Sequence, residues 1–257
     1  FSVYDKDLVG SDFLGRATLE AQDYAGQGFN GELQLQDAKA PQAAYLKVKV
    51  QVPGKDLPPG PPAEYTVTVE KASEKDSYAM QLDKQDPKRL NVIAISDGPF
   101  KEYNANAKPE EQIRENDFLV CVNSATDAAA MHSEFRSALR VECKFKRAVP
   151  VSIVLDRGDS SEPLGLEMPD KLGAMVSVVV VSVQDGPVAR HNEAVEDHEK
   201  INPGDRILSV GGTAGSAEDV KRALEGAKGR VQLTLLKPAV CRSEEGDSCT
   251  WSHWLFG

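Results

Sequence analysis

From Tyr65 onward, apolar and polar residues alternate in short runs, and the runs come in the same order twice. YTVTVEK (65–71) and VSIVLDR (151–157) alternate with period two and predict strands. Each is followed by a loop and a second strand, YAMQLDK (78–84) and LGLEMPD (164–170). A third, more apolar strand comes next, LNVIAIS (90–96) and VSVVVVSV (176–183). An Asp-Gly-Pro turn then leads into a short helix rich in Ala and Glu, and NDFLVCVN (116–123) and GDRILSVGG (204–212) read as strands entering turns. The next stretch has helical spacing: Met131, Phe135 and Leu139 in one copy, Val220, Ala223 and Leu224 in the other. Asp127 and Ser216 are placed to cap these helices, and Gly226 or Gly229 to end the second. VECKFKR (141–147) and VQLTLLK (231–237) close each copy as strands.

The parallel is one of residues as well as pattern. At a constant offset of 88, Asp97-Gly98-Pro99 falls on Asp185-Gly186-Pro187, Asn104 on Asn192, Ile113 on Ile201, Asp117 on Asp205 and Val122 on Val210. One register held from residue 96 to 124 with the same apolar spacing implies a duplicated domain of roughly 85–90 residues, an ordinary domain size. We place the copies at 63–148 and 150–238, behind a different front segment (1–52) and a spacer (53–62), with a tail at 239–257. The spacer region is proline-rich; it favours extended geometry and cannot pair as a central strand. Its prolines also permit a P-x-x-P reading, but a semi-rigid spacer is the plainer one.

Charge narrows the function. A net charge of −10 argues against a nucleic-acid binder, which needs a basic face. The longest apolar run, from Met175 to Val183, is broken by Ser177 and Ser182 and is far short of the roughly 18 residues of a membrane span. Four cysteines are too sparse for a disulfide scaffold, so a cytoplasmic location is expected. The chain begins at Phe1, which suggests a piece of a longer protein. Catalytic signatures are weak: the four histidines are scattered, GDSCT around Ser248 lacks the glycine of a protease nucleophile motif, and Cys241, Cys249 and His253 lack a fourth zinc ligand.

Taken together, LGLEM, a Gly-Pro before a short helix, the segment from Ile201 to Gly212 and a long helix resemble a PDZ domain. The second copy matches well and the first is more divergent. The resemblance implies two partly open β-barrels, each with two helices, that bind peptide C-termini or internal peptides as an added strand. In the second copy it assigns Leu164, Gly165, Leu166, Glu167 and Met168 to the loop and strand, with the backbone at Gly165 approaching a terminal carboxylate. Ala217, Val220, Lys221 and Leu224 would form the helix wall, and Arg157 would reach the carboxylate through water. In the first copy the corresponding residues are Tyr78, Ala79, Met80 and Leu82, with Ala128, Met131, His132 and Phe135 on the helix. Ala79 stands where glycine is expected, and Arg114-Glu115-Asn116-Asp117 replaces the usual Pro-Gly-Asp, which predicts a distorted carboxylate loop. Neither helix opens on histidine, so no preference for Ser or Thr two residues from the ligand's end is implied.

FSVYDKDLVGSDFLGRATLE (1–20), with the strand pair GELQLQDAK and AYLKVKVQV, resembles the C-terminal part of a C2 domain, a calcium- and phospholipid-binding β-sandwich. This implies Ca2+ ligation by Asp5, Asp7 and Asp12 and a peripheral membrane association of the longer protein. Three aspartates fall short of the six to eight oxygens that calcium takes, so weak binding or none is expected of this chain. The sequence therefore predicts a mainly β fold with some α, a C2-like sandwich fragment followed by two PDZ-like partly open barrels. The expected function is a non-enzymatic scaffold or adaptor; the alternative is an accessory recognition region of a protease or other larger enzyme.

Overall fold

The structure, a computed structural model, describes residues 1–7, 10–38, 44–56, 62–157, 162–170, 172, 175 and 177–239, without the side chains of residues 5–11. Part of the predicted spacer and nearly all of the predicted tail, including Cys241, Ser248, Cys249 and His253, lie outside these residues. The chain divides into two compact units: Phe1–Ala63 with Asn106–Glu115, and Glu64–Ala105 with Asn116–Ala239.

In the first unit, β1 (Ser2–Asp7) and β2 (Gly10–Arg16) form an antiparallel hairpin whose register sets Asp5 opposite Asp12. A one-turn helix, α1 (Ala21–Tyr24), leads to a second antiparallel pair, β3 (Phe29–Gln34) and β4 (Tyr45–Val50). The segment from Asn106 to Glu115 is tied to this unit by Arg114. Its guanidinium lies 4.1 Å above the Tyr45 ring and pairs with Glu32.

The second unit holds both repeats except the stretch from Asn106 to Glu115. The first comprises β5 (Glu64–Glu70), β6 (Met80–Asp83), β7 (Leu90–Ile95), α2 (Pro99–Asn106), β8 (Phe118–Val122), α3 (Ala128–Ser137) and β9 (Arg140–Lys146). Its five strands form one sheet in the order β5-β9-β8-β7-β6, which leaves β6 at an edge. The alternation read in YTVTVEK is the burial pattern observed. Tyr65, Val67 and Val69 point inward opposite Phe145, Cys143 and Val141 of β9, and Tyr65 stacks on Phe145 with ring centroids 5.5 Å apart. Burial pushes the Cys143 thiol well above its ordinary value.

The second repeat comprises β10 (Ala148–Asp156), β11 (Leu166–Glu167), β12 (Val178–Val179), β13 (Ser182–Val183), α4 (Pro187–Ala194), β14 (Arg206–Val210), α5 (Ala217–Gly226) and β15 (Arg230–Pro238). A four-stranded sheet, β10-β15-β14-β12, packs its apolar face with α5 into one core, and β11 pairs with β13 alone. Both sheets are open, so each repeat is a partly open barrel with two helices, in the predicted order. Asp127 and Ser216 cap α3 and α5 by accepting the N–H of Ala130 and Asp219. The continuous strand expected at 176–183 is instead two two-residue strands separated by Val180 and Val181, because the chain turns from the larger sheet to β11 there.

Each repeat sets a buried aspartate against a cation at the end of its last strand. Asp117 accepts from the Tyr65 hydroxyl at 2.6 Å and from Arg147 at 2.7 Å. Its counterpart Asp205 pairs with Lys237 and accepts the Asn202 N–H at 2.8 Å. Burial raises the Asp205 carboxyl above its ordinary value, while Lys237 and the Asn202 amide pull it back.

The repeats also meet directly. Arg206 is only 2 % exposed; its Nη2 lies 2.5 Å from Asp83 Oδ2 at the end of β6, and its Nε donates to Ser177 Oγ at 2.9 Å. Arg89 of the first repeat pairs with Asp86 at 2.8 Å and donates to the Pro203 carbonyl of the second at 3.3 Å.

Candidate functional site

A groove of about 700 Å³ opens in the first repeat between β6 and α3. The two elements run in opposite directions. The Ala128 N–H, at the start of α3, donates to the carbonyl of Pro87, just beyond β6. At the other end the Tyr78 hydroxyl, just before β6, donates to the Ala138 carbonyl at 2.9 Å. An edge strand beside a helix provides an unpaired row of backbone groups with one apolar wall. The pairing decides which groups these are. Ser96 N–H donates to the Ala79 carbonyl, so Met80 and Ile95 are the non-hydrogen-bonded pair, and the Met80 N–H and C=O point away from β7 into the groove.

The loops at the heads of β6 and β11 share a left-handed residue. Ala79 sits at φ 56°, in the same left-handed region as Gly165 at φ 75°. Holding a residue with a Cβ there costs about 1–2 kcal/mol. Asn116 likewise takes φ 72° where the second repeat has Gly204 at 86°. The Ala79 amide is used internally, donating to Ser77 Oγ at 3.0 Å.

Of the first-repeat residues predicted to bind peptide, Tyr78, Ala79, Met80, Leu82, His132 and Phe135 line this groove. Tyr78 is a wall, 4 % exposed and packed edge-on against Phe135 at 5.5 Å. Burial pushes its hydroxyl up to about 12. Met131 is a correction to the sequence reading: it is fully buried in the core, because it lies on the face of α3 that packs toward the sheet. Ala128 is buried as well, its amide satisfied by Pro87.

In the second repeat Leu164 is 8 % exposed, Leu166 and Met168 pack on the core, and Glu167 is exposed, accepting from Ser182 Oγ at 2.6 Å. Ala217, Val220 and Leu224 are completely buried and form the core beneath α5 rather than an open wall. Lys221 bridges from α5 to the Pro169 carbonyl at 3.4 Å. Gly165 is required by the protein itself: a Cβ there would lie 2.5 Å from the Gln184 carbonyl oxygen and 2.8 Å from that of Asp185. Leu166, like Met80, turns its N–H off the sheet edge, since the Gln184 N–H bonds the Gly165 carbonyl.

Arg157 has a clear structural partner set. Its guanidinium donates to the carbonyls of Glu225 at 2.9 Å and Ala227 at 2.7 Å, closing the end of α5, and to Glu162 at 3.2 Å. Lys71 does the same in the first repeat. Its Nζ donates to the carbonyls of Phe135 at 3.2 Å and Arg136 at 3.1 Å and lies 5.1 Å from the Tyr78 ring centroid. Cations at a helix C-terminus satisfy orphan carbonyls and oppose the helix dipole. Lys71, Lys84 and Arg136 line the first groove but were missed from sequence. Aligning YTVTVEK with VSIVLDR would have flagged Lys71 beside Arg157.

The side chains of Asp5 and Asp7 lie outside the described residues, and Asp12 is exposed. Among the described residues no group of three His, Cys, Asp or Glu side chains is placed to hold a metal ion. No described helix is long and apolar enough to cross a membrane.

No family model and no curated protein matches the chain. Among solved structures it is similar to INAD PDZ45 in complex with NG2 peptide, at 15 % identity and a TM-score of 0.33, over 73 % of this chain and 96 % of that one. It is also similar to INAD PDZ45 in complex with NORPA CC-PBM, at 14 % identity and a TM-score of 0.32, over 69 % of this chain and 92 % of that one.

Proposed function

We propose that the chain is a non-enzymatic, PDZ-like interaction module whose first repeat takes the extended C-terminus of a partner protein into the groove between β6 and α3. The observation that carries this is an edge strand with outward-facing backbone groups, walled by a helix and headed by a left-handed loop, around a cavity of about 700 Å³. A peptide adding antiparallel to β6 brings its last residue to the Tyr78–Met80 loop, where the Met80 N–H is directed toward its carboxylate. Main-chain bonds give register, and Leu82, Phe135 and Tyr78 receive side chains. The second repeat offers an edge at Leu166 in the same position, and its helix, like α3, buries its core-facing residues.

The test is fluorescence polarisation of a random C-terminal peptide library against the full chain. Binding of selected peptides on the order of micromolar, about 8 kcal/mol, is expected. Amidation of the peptide end should weaken it, and His132→Trp, which fills the groove from a half-buried position, should abolish it with unchanged circular dichroism. Retained binding by that variant would falsify the placement of the site.

A further inference from the structure

The groove of the first repeat carries two cations, Lys84 and Arg136, with the His132 imidazole between them. Lys84 follows the last residue of β6, while His132 and Arg136 stand one turn apart on the groove face of α3. Lys84 and Arg136 are exposed, and neither has a carboxylate partner among the described residues. Glu74 and Asp76 line only the loop end, where Lys71 is already engaged by helix carbonyls. Such an uncompensated stripe stands out in a chain of net charge −10.

From this we propose that the groove selects an acidic peptide, one bearing Asp or Glu two and four residues before its C-terminal residue. The proposal rests on the peptide-binding reading above. Lys84 lies four strand residues beyond Met80, about 13 Å along the groove at roughly 3.3 Å per residue. His132 lies one helical turn, about 5–6 Å, back from Arg136, close to two strand residues. In an extended ligand the last, third-last and fifth-last residues share one face, so the nearer upstream side chain reaches the Arg136–His132 stretch, where Arg136 is the charge partner and His132 a hydrogen-bond partner, and the farther one reaches Lys84. Arg136, between His132 and the loop, faces the terminal carboxylate and the nearer acidic side chain together. The helix supplies no opening histidine to accept from a ligand hydroxyl, since Ala128 stands there, buried. Charge is therefore the chemistry this wall offers.

The experiment uses the full chain and three fluorescein-labelled peptides with a common apolar end, carrying Glu, Ala or Lys at both upstream positions. The Glu peptide should bind roughly three- to tenfold more tightly than the Ala peptide, as expected for two exposed ion pairs. The Lys peptide should be weakest, and the gap should shrink at high salt. Lys84→Glu with Arg136→Glu, both at exposed positions, should reverse the order of the Glu and Lys peptides while leaving the melting temperature unchanged. Equal binding of all three peptides by the native chain, or an order that survives the double charge reversal, overturns the inference while the groove stands. If no peptide of any charge binds, the peptide-binding reading itself fails. Global repulsion between an acidic chain and an acidic peptide works against the predicted order, so finding it would assign it to the groove.

Discussion

Arg206 gives the sharpest test of how the second unit holds together. Its side chain and that of Asp83 are 2 % and 4 % exposed, at 2.5 Å, and Ser177 takes a further hydrogen bond from the guanidinium. Burial lowers the Arg206 pKa, and Asp83 and Asp86 oppose that shift. Arg206→Met removes one partner and leaves Asp83 buried without its counter-charge. Breaking a buried pair in this way costs about 3–5 kcal/mol. For a unit of this size each kcal/mol moves the melting temperature by roughly 2–4 °C, so a fall of about 6–20 °C is expected. Replacing both partners by apolar residues, Arg206→Met with Asp83→Leu, should recover most of the loss, because no charge is then stranded in the interface. The assay is thermal denaturation of the full chain followed by circular dichroism, with Asp83→Leu alone completing the double-mutant cycle. A single-variant loss under about 1 kcal/mol, the value of an exposed pair, would mean that the repeats do not bury Arg206 between them. Strict additivity of the two substitutions would refute the direct contact.

Two further outcomes follow from local geometry. Gly165→Ala should lower stability by about 1–3 kcal/mol, read as a lower urea midpoint with an unchanged slope, since its Cβ meets the Gln184 carbonyl at 2.5 Å and its φ is 75°; an unchanged midpoint would contradict this loop. Burial, with Lys84 and Arg136 nearby, holds the His132 imidazole below its ordinary value of 6.5. The unfolded chain therefore binds a proton that folded His132 resists, and stability contributed by this residue is lost as pH falls through that window. His132→Gln should lose less stability than the native chain between about pH 7 and about pH 5.5, and NMR titration of the imidazole should show a midpoint below 6.5; a midpoint above it would reverse the sign.

Much of the architecture was written in local pattern. Alternation in YTVTVEK, the helical spacing around Val220, the caps at Asp127 and Ser216 and the offset linking Asp97 to Asp185 all act within a few residues, and each appears as read. Tertiary packing decided matters that depend on partners distant in sequence. Met131 and His132 are neighbours on one helix, yet one is core and the other groove, because the sheet lies against only one face of α3. Gly165 answers to the carbonyls of Gln184 and Asp185, and Ala79 is held left-handed at the corresponding place, against its own preference. Arg206 looks like a surface residue in a strand pattern and becomes one of the most buried side chains, because a second copy of the same fold places Asp83 against it. A sequence specifies which residues are able to face inward or bear charge; only the folded chain determines what each of them faces.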